Sequence, residues 1–177
     1  MLCALCAAVA ADVQAPGQAH ATTARQQMLR PEDVLRAANT YRRQAWHWQR
    51  LMGVRTTPTR NTAANATNLA YRIWVRNLWH KRARVLRRRA LNPPHRRQWQ
   101  CIHNYEGAWQ SNTGNGYYGG LQMDIAFQRH YGSWLLRRKG TADRWTPIEQ
   151  MWVAERAHRS GQGFSPWPNT ASACGLI

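Results

Sequence analysis

Residues 106–123 read EGAWQSNTGNGYYGGLQM, and they carry most of the information about fold and chemistry in this 177-residue chain. A single carboxyl, Glu106, precedes a turn rich in Gly, Asn and Tyr. Just upstream, RQWQCIHNYEG (97–107) reads as a helix. Trp99, Ile102 and Glu106 then fall at spacings of three and four and share one face. Asn115-Gly116 is a strong hairpin-turn pair. Downstream, DIAFQRHYG (124–132) reads as a short helix that Asp124 can cap and Gly132 can end. TPIEQMWVAERAHRSG (146–161) has a cap at Thr146, Pro147 at the first helical position, Glu149 completing a capping box and Gly161 as a stop. The tail FSPWPNTASACGLI (164–177) reads as irregular. The order helix, small hairpin, helix, helix predicts an α+β module that is mostly α.

A carboxyl on the inner face of a helix beside aromatic side chains is poorly solvated, which favours its neutral form. A carboxylic acid kept protonated can give its proton to a departing glycosidic oxygen. The neighbourhood suits sugars. Trp109, Tyr117 and Tyr118 offer apolar faces, Asn112, Asn115 and Gln122 offer hydrogen bonds, and Gly119 and Gly120 let a polymer approach the backbone. The competing reading is a surface glutamate at a helix end.

The rest of the chain has a different character. Residues 1–98 hold 18 Lys and Arg against three Asp and Glu, whereas residues 99–177 hold seven against five. The formal charge of +17 is therefore concentrated in the first half, which calls for a polyanionic partner. RPEDVLRAANTYRRQAWHWQRLMG (30–53) predicts a helix, with Pro31 at its start, acids in its first turn and Gly53 at its end. Its apolar seam is Val34, Ala38, Tyr41, Ala45, Trp48 and Met52. A second helix is expected over 67–91, with Tyr71, Trp74, Leu78 and Val85 near one stripe and arginines on another, ended by NPPH (92–95). Residues 1–15 are expected to be a secretory signal, with AVA (8–10) as its cleavage site although no basic segment precedes the apolar run. Residues 16–30 are expected to be a linker. The expected organisation is thus a basic helical hairpin at 31–98 followed by a compact module at 99–177.

With Cys3 and Cys6 inside the signal, Cys101 and Cys174 remain. In an exported protein they suggest a disulfide, which by loop entropy would contribute roughly 4 kcal/mol for a loop of about 74 residues. In a reducing compartment they would be two separate thiols. A metal site built from His103 and Glu106 with His95 or His130 lacks the usual ligand spacing, so no metal or other cofactor is expected.

The stretch CIHNYEGAWQSNTGNGYYGGLQM (101–123), with EQMWVAE (149–155) and Trp167-Pro168, resembles the catalytic region of the resuscitation-promoting factors and related transglycosylase-like domains. The resemblance covers residues 99–177 and implies a small lysozyme-like fold that cleaves peptidoglycan glycan strands at the β-1,4 bond between N-acetylmuramic acid and N-acetylglucosamine. Glu106 takes the place of the family's catalytic acid. Asp124 and Gln162 match polar residues of its cleft, and Cys101 and Cys174 match its disulfide. In the resuscitation factors the acid directly follows the cysteine and lies five residues before the tryptophan. Here Glu106 lies five residues after Cys101 and three before Trp109, as in a sister branch of the group.

If Asp124 only caps a helix, Glu106 works alone and leaves an anhydro end, the lytic transglycosylase route the resemblance implies. Asp124 as a second catalytic carboxylate would point to hydrolysis instead. The alternative function is an inactive wall-binding module. The implied setting is secreted and wall-associated, with a partner peptidoglycan hydrolase. The basic half is read as an anchor to acidic wall polymers ahead of a solvated helix face. Specific nucleic-acid recognition ranks last, for want of a base-reading motif.

Overall fold

The computed structural model describes residues 30–59 and 67–177. The expected signal, Cys3, Cys6 and nearly all of the linker lie outside the described residues. Seven α-helices and one two-stranded antiparallel sheet make up the described fold, which is α+β and mostly α. No helix among the described residues is long and apolar enough to cross a membrane.

Helix α1 (Pro31–Met52) begins with Pro31 and two acids in its first turn, where the dipole is positive. It ends at Gly53 in a left-handed conformation, φ 67°. The Gly53 and Val54 amides return to the carbonyls of Arg50 and Gln49, which satisfies the helix end. Helix α2 (Leu69–Ala90) is capped by the Asn68 side chain, which accepts from the Tyr71 amide.

The α1–α2 contact is lined with small residues, Ala38, Ala45 and Ala83, around Val75 and Trp79. This corrects the expected α2 stripe. Val75, Trp79, Ala83 and Ala90 are buried, while Tyr71 and Trp74 are exposed and stack on one another with ring centroids 5.7 Å apart. Alanines let two helices approach closely, so the contact settles on the small residues and leaves the bulky pair outside.

Helix α3 (Arg96–Glu106) leads into the strands β1 (Tyr117–Tyr118) and β2 (Met123–Asp124), paired Tyr117 to Asp124 and Tyr118 to Met123. The turn of this hairpin is Gly119–Gln122. Asn115-Gly116 instead sits at the tip of the preceding loop, which a single Asn112–Tyr118 bridge closes. Helices α4 (Ile125–Tyr131) and α5 (Ser133–Lys139) follow, then a short 3-10 turn at Ala142–Arg144.

Helix α6 (Pro147–Ala157) has the full capping box of Thr146 and Glu149, and residues Glu149–Glu155 are all buried. It is the central helix of the larger core, among Trp99, Ile102, Leu121, Leu135, Trp145 and Trp167. It ends before Gly161, passing into a π-helical turn at His158–Gln162. The tail expected to be irregular contains α7 (Pro168–Ala173), started by Pro168 and tied down by the Cys101–Cys174 disulfide.

Two buried polar side chains of the core are paired. Gln150 accepts from the Gly120 amide at 2.9 Å and donates to the carbonyls of Trp109 and Ala142 at 2.8 and 2.9 Å. Glu155, 0% exposed, accepts from the His95 amide at 2.9 Å and the Trp99 indole at 2.8 Å. A second seam, Leu51, Met52, Ala90 and Trp152, joins the α1–α2 hairpin to α6.

Candidate active site

Glu106 is the last residue of α3 and is partly buried, at the edge of a groove rather than deep in the core. It opens into a groove of about 320 Å³. Asn115, Tyr117 and Gln122 from the loop and hairpin form one wall, and Pro166, Trp167, Pro168 and Asn169 form the other. One carboxyl oxygen, Oε1, accepts a 2.8 Å hydrogen bond from the Thr170 hydroxyl on α7.

Three constraints set these walls. Trp167 is buried, and its indole donates to the Leu121 carbonyl at 2.6 Å, pinning the start of α7 to the hairpin turn. The disulfide joins Cys101 on α3 to Cys174 just past α7, with Cα atoms 6.1 Å apart. Gln122 holds φ 45°, the only positive φ at a non-glycine among the described residues, while its amide donates to the Gly119 carbonyl at 2.8 Å. A left-handed residue on the wall of a groove is a strained position kept by its surroundings, as functional sites often show.

The expected site residues divide into three groups. Asn115, Tyr117 and Gln122 share the groove with Glu106. Asp124 and Gln162 line a second depression of about 400 Å³ with Phe127, His130 and Tyr131. The two hollows are neighbours, since Tyr117 pairs with Asp124 across the strands and Phe127 meets Trp167 edge-on at 5.5 Å. Asp124 is the N-cap of α4, accepting from the Phe127 amide at 2.6 Å.

Trp109 and Tyr118 do not line the groove. Trp109 stacks on His103 at 3.9 Å and lines a separate depression with Arg96, Pro147 and Met151. Tyr118 packs against the core. The two glycines expected to admit a polymer face inward. A Cβ on Gly119 would lie 2.5 Å from the Gln150 side chain, and one on Gly120 2.5 Å from His103 Nδ1.

The histidines considered as metal ligands are dispersed. His95 pairs with Glu155, His103 meets the Gly120 carbonyl at 3.3 Å, and His130 lies in the second depression. Among the described residues no group of three or more His, Cys, Asp or Glu side chains is arranged to hold a metal ion. His158, stacked on His95 at 4.1 Å, titrates below the ordinary histidine value because burial, and then His95, disfavour its charge.

Sequence reasoning missed Asn169 and Thr170. The tail lacks a long periodic segment, and its only helix signal is Pro168 at the first position.

Residues 94–170 match the transglycosylase-like domain family. The chain is 40% identical over 70 residues to resuscitation-promoting factor Rpf1 of Corynebacterium glutamicum, covering 40% of this chain and 35% of that protein. It is 42% identical over 72 residues to RpfE of Mycobacterium tuberculosis, covering 40% and 38%. RpfC of the same species is 36% identical over 80 residues, covering 44% and 53%. The chain thus spans between about a third and a half of the length of these relatives. Residues 94–170 thus resemble a transglycosylase-like domain in sequence.

Proposed function

We propose that this protein cleaves peptidoglycan glycan strands between N-acetylmuramic acid and N-acetylglucosamine as a lytic transglycosylase, with Glu106 as its one general acid and base. The observation that supports this reading is the isolation of the carboxyl. Among the described residues Glu106 is the only Asp or Glu lining its groove, and Asp124 next door is occupied as a helix cap.

Protonated Glu106 gives its proton to the bridging oxygen as the bond to the muramic C1 breaks. The resulting carboxylate then takes the proton from the muramic C6 hydroxyl as that oxygen bonds to C1. The acid is regenerated and a 1,6-anhydro end results, so no second carboxylate is required. Tyr117, which is exposed, offers its ring to the sugars, the buried Trp167 contributes only an edge of the groove, and Asn115, Gln122 and Asn169 supply hydrogen bonds. The reaction takes place outside the cell at the wall, where a disulfide persists.

Mass spectrometry of digested peptidoglycan tests the reading. Anhydro-muropeptides are expected from the parent chain and none from Glu106→Gln. Reducing ends would mean hydrolysis. An inactive parent that still binds walls would mean a binding module.

The helical hairpin adds an anchor to acidic wall polymers. None of residues 34–105 is acidic. Lys81, Arg84, Arg87 and Arg88 line a groove of about 490 Å³, and among the described residues no carboxylate pairs with any of them. Binding to walls is expected to weaken as salt rises and to fall in Arg84→Glu/Arg88→Glu. Salt-insensitive binding would remove the anchor from the proposal.

A further inference from the structure

We infer that Thr170 is a positioning residue that makes the two oxygens of Glu106 unequal and so selects the one that transfers the proton. The inference rests on the reading of Glu106 as the acid and base.

A threonine hydroxyl carries one hydrogen. Thr170 Oγ1 lies 2.8 Å from Glu106 Oε1 and 3.4 Å from the Trp167 carbonyl oxygen. The first distance is that of a sound O–H···O bond and the second is too long for one, so the hydrogen points at Oε1. An oxygen that already accepts a hydrogen bond is the poorer base. The transferable proton therefore sits on Oε2, which has no hydrogen-bond partner among the described residues. When that proton leaves, the bond to Oε1 becomes charge-assisted and strengthens as the carboxylate forms. When Glu106 acts as base, Oε2 takes the proton back. Throughout, Thr170 keeps its hydrogen and touches no reacting atom.

The position of Thr170 is over-determined. Helix α7 starts at buried Trp167 and buries Ala171 completely, and the Cys174 disulfide follows four residues after Thr170. The other end of that disulfide, Cys101, is five residues before Glu106 on α3. The same cross-link therefore holds both helices that present the donor and the acceptor.

The test uses the full chain on soluble, uncrosslinked glycan strands, with kcat, KM and melting temperature measured for the parent, Glu106→Gln, Thr170→Val and Thr170→Ser. Thr170→Val is expected to lower kcat about 10- to 100-fold, with KM and melting temperature near the parent's. Thr170→Ser, which restores the hydroxyl, is expected to return kcat to within about threefold. Thr170→Ala reads the same loss should the valine variant fail to fold. If Thr170→Val works like the parent while Glu106→Gln is dead, the positioning inference falls and the proposed function stands. If Thr170→Ser is as impaired as Thr170→Val, the side chain acts by packing and the inference also falls. An active Glu106→Gln, or an inactive parent, overturns both.

Discussion

The indole nitrogen of Trp152 donates a 2.6 Å hydrogen bond to the carbonyl oxygen of Ala90, the last residue of α2. The two groups are 62 residues apart and meet in the seam between the basic hairpin and the central helix α6. Arg156 and Arg159, about one and two turns further along the chain, complete the junction. Arg156 donates to the carbonyls of Arg50 and Leu51, and Arg159 to that of Met52 at 2.8 Å. Guanidinium groups thus satisfy the C-terminal carbonyls of α1, the end at which the helix dipole favours cations. Trp152→Ala is expected to cost about 3–5 kcal/mol of stability, and Trp152→Phe about 1 kcal/mol for the lost hydrogen bond. Denaturant unfolding followed by both far-ultraviolet circular dichroism and tryptophan fluorescence checks this. One shared transition in the parent means the hairpin and the α3–α7 module unfold together, and two separate transitions would mean they do not.

Glu155 is the carboxyl at the centre of the core, and its oxygens meet the His95 amide and ring and the Trp99 indole. Glu155→Ala leaves those donors without an acceptor and is expected to destabilise by about 3–5 kcal/mol. Glu155→Gln retains one acceptor oxygen and is expected to cost less. Chemical denaturation of both variants gives the order, and equal costs would contradict the assigned bonding.

His158 makes stability depend on pH. Burial, followed by the neighbouring His95, pulls its value below the ordinary 6.5, while Glu155 pulls it up by less. The unfolded chain therefore binds this proton more readily than the folded one. The contribution is complete above the unfolded value and is lost as pH falls through the folded value. The melting temperature is expected to drop on going from about pH 7 to about pH 5, and the drop should shrink in His158→Gln. An unchanged drop in that variant would assign the acid sensitivity to other groups.

Gly120 abuts His103 and Trp109. A Cβ there would lie 2.5 Å from His103 Nδ1, 2.9 Å from the Trp109 ring and 3.0 Å from the Trp109 Cα. One neighbour is backbone, so the contact cannot be relieved by a rotamer change alone. Gly120→Ala is expected to cost about 1–3 kcal/mol as an overpacked site and to disturb the adjacent Gln122 wall of the groove. Thermal melting measures the first effect and substrate KM the second.

Much of the molecule was legible in the residue order because its signals are local. Pro31 and Gly53 bound α1, Thr146 and Glu149 start α6, and Asp124 starts α4, each through contacts within one helical turn. Glu106 stood out as a lone acid before a distinctive turn, and its groove neighbours Asn115, Tyr117 and Gln122 lie within 16 residues of it. Periodicity was less informative on α2. With arginines and aromatics on several faces, it could not tell Tyr71 and Trp74 from Val75 and Trp79 as the buried pair.

Only the tertiary structure decided how distant segments meet. It turned Trp109 onto His103 and away from the groove, and used Gly119 and Gly120 for packing against Gln150 and His103. It brought Thr170 to Glu106 across 64 residues, and Arg156 to Arg50 across 106. Such contacts depend on how whole helices pack, a sum of many small burial terms that leaves no short-range mark on either partner.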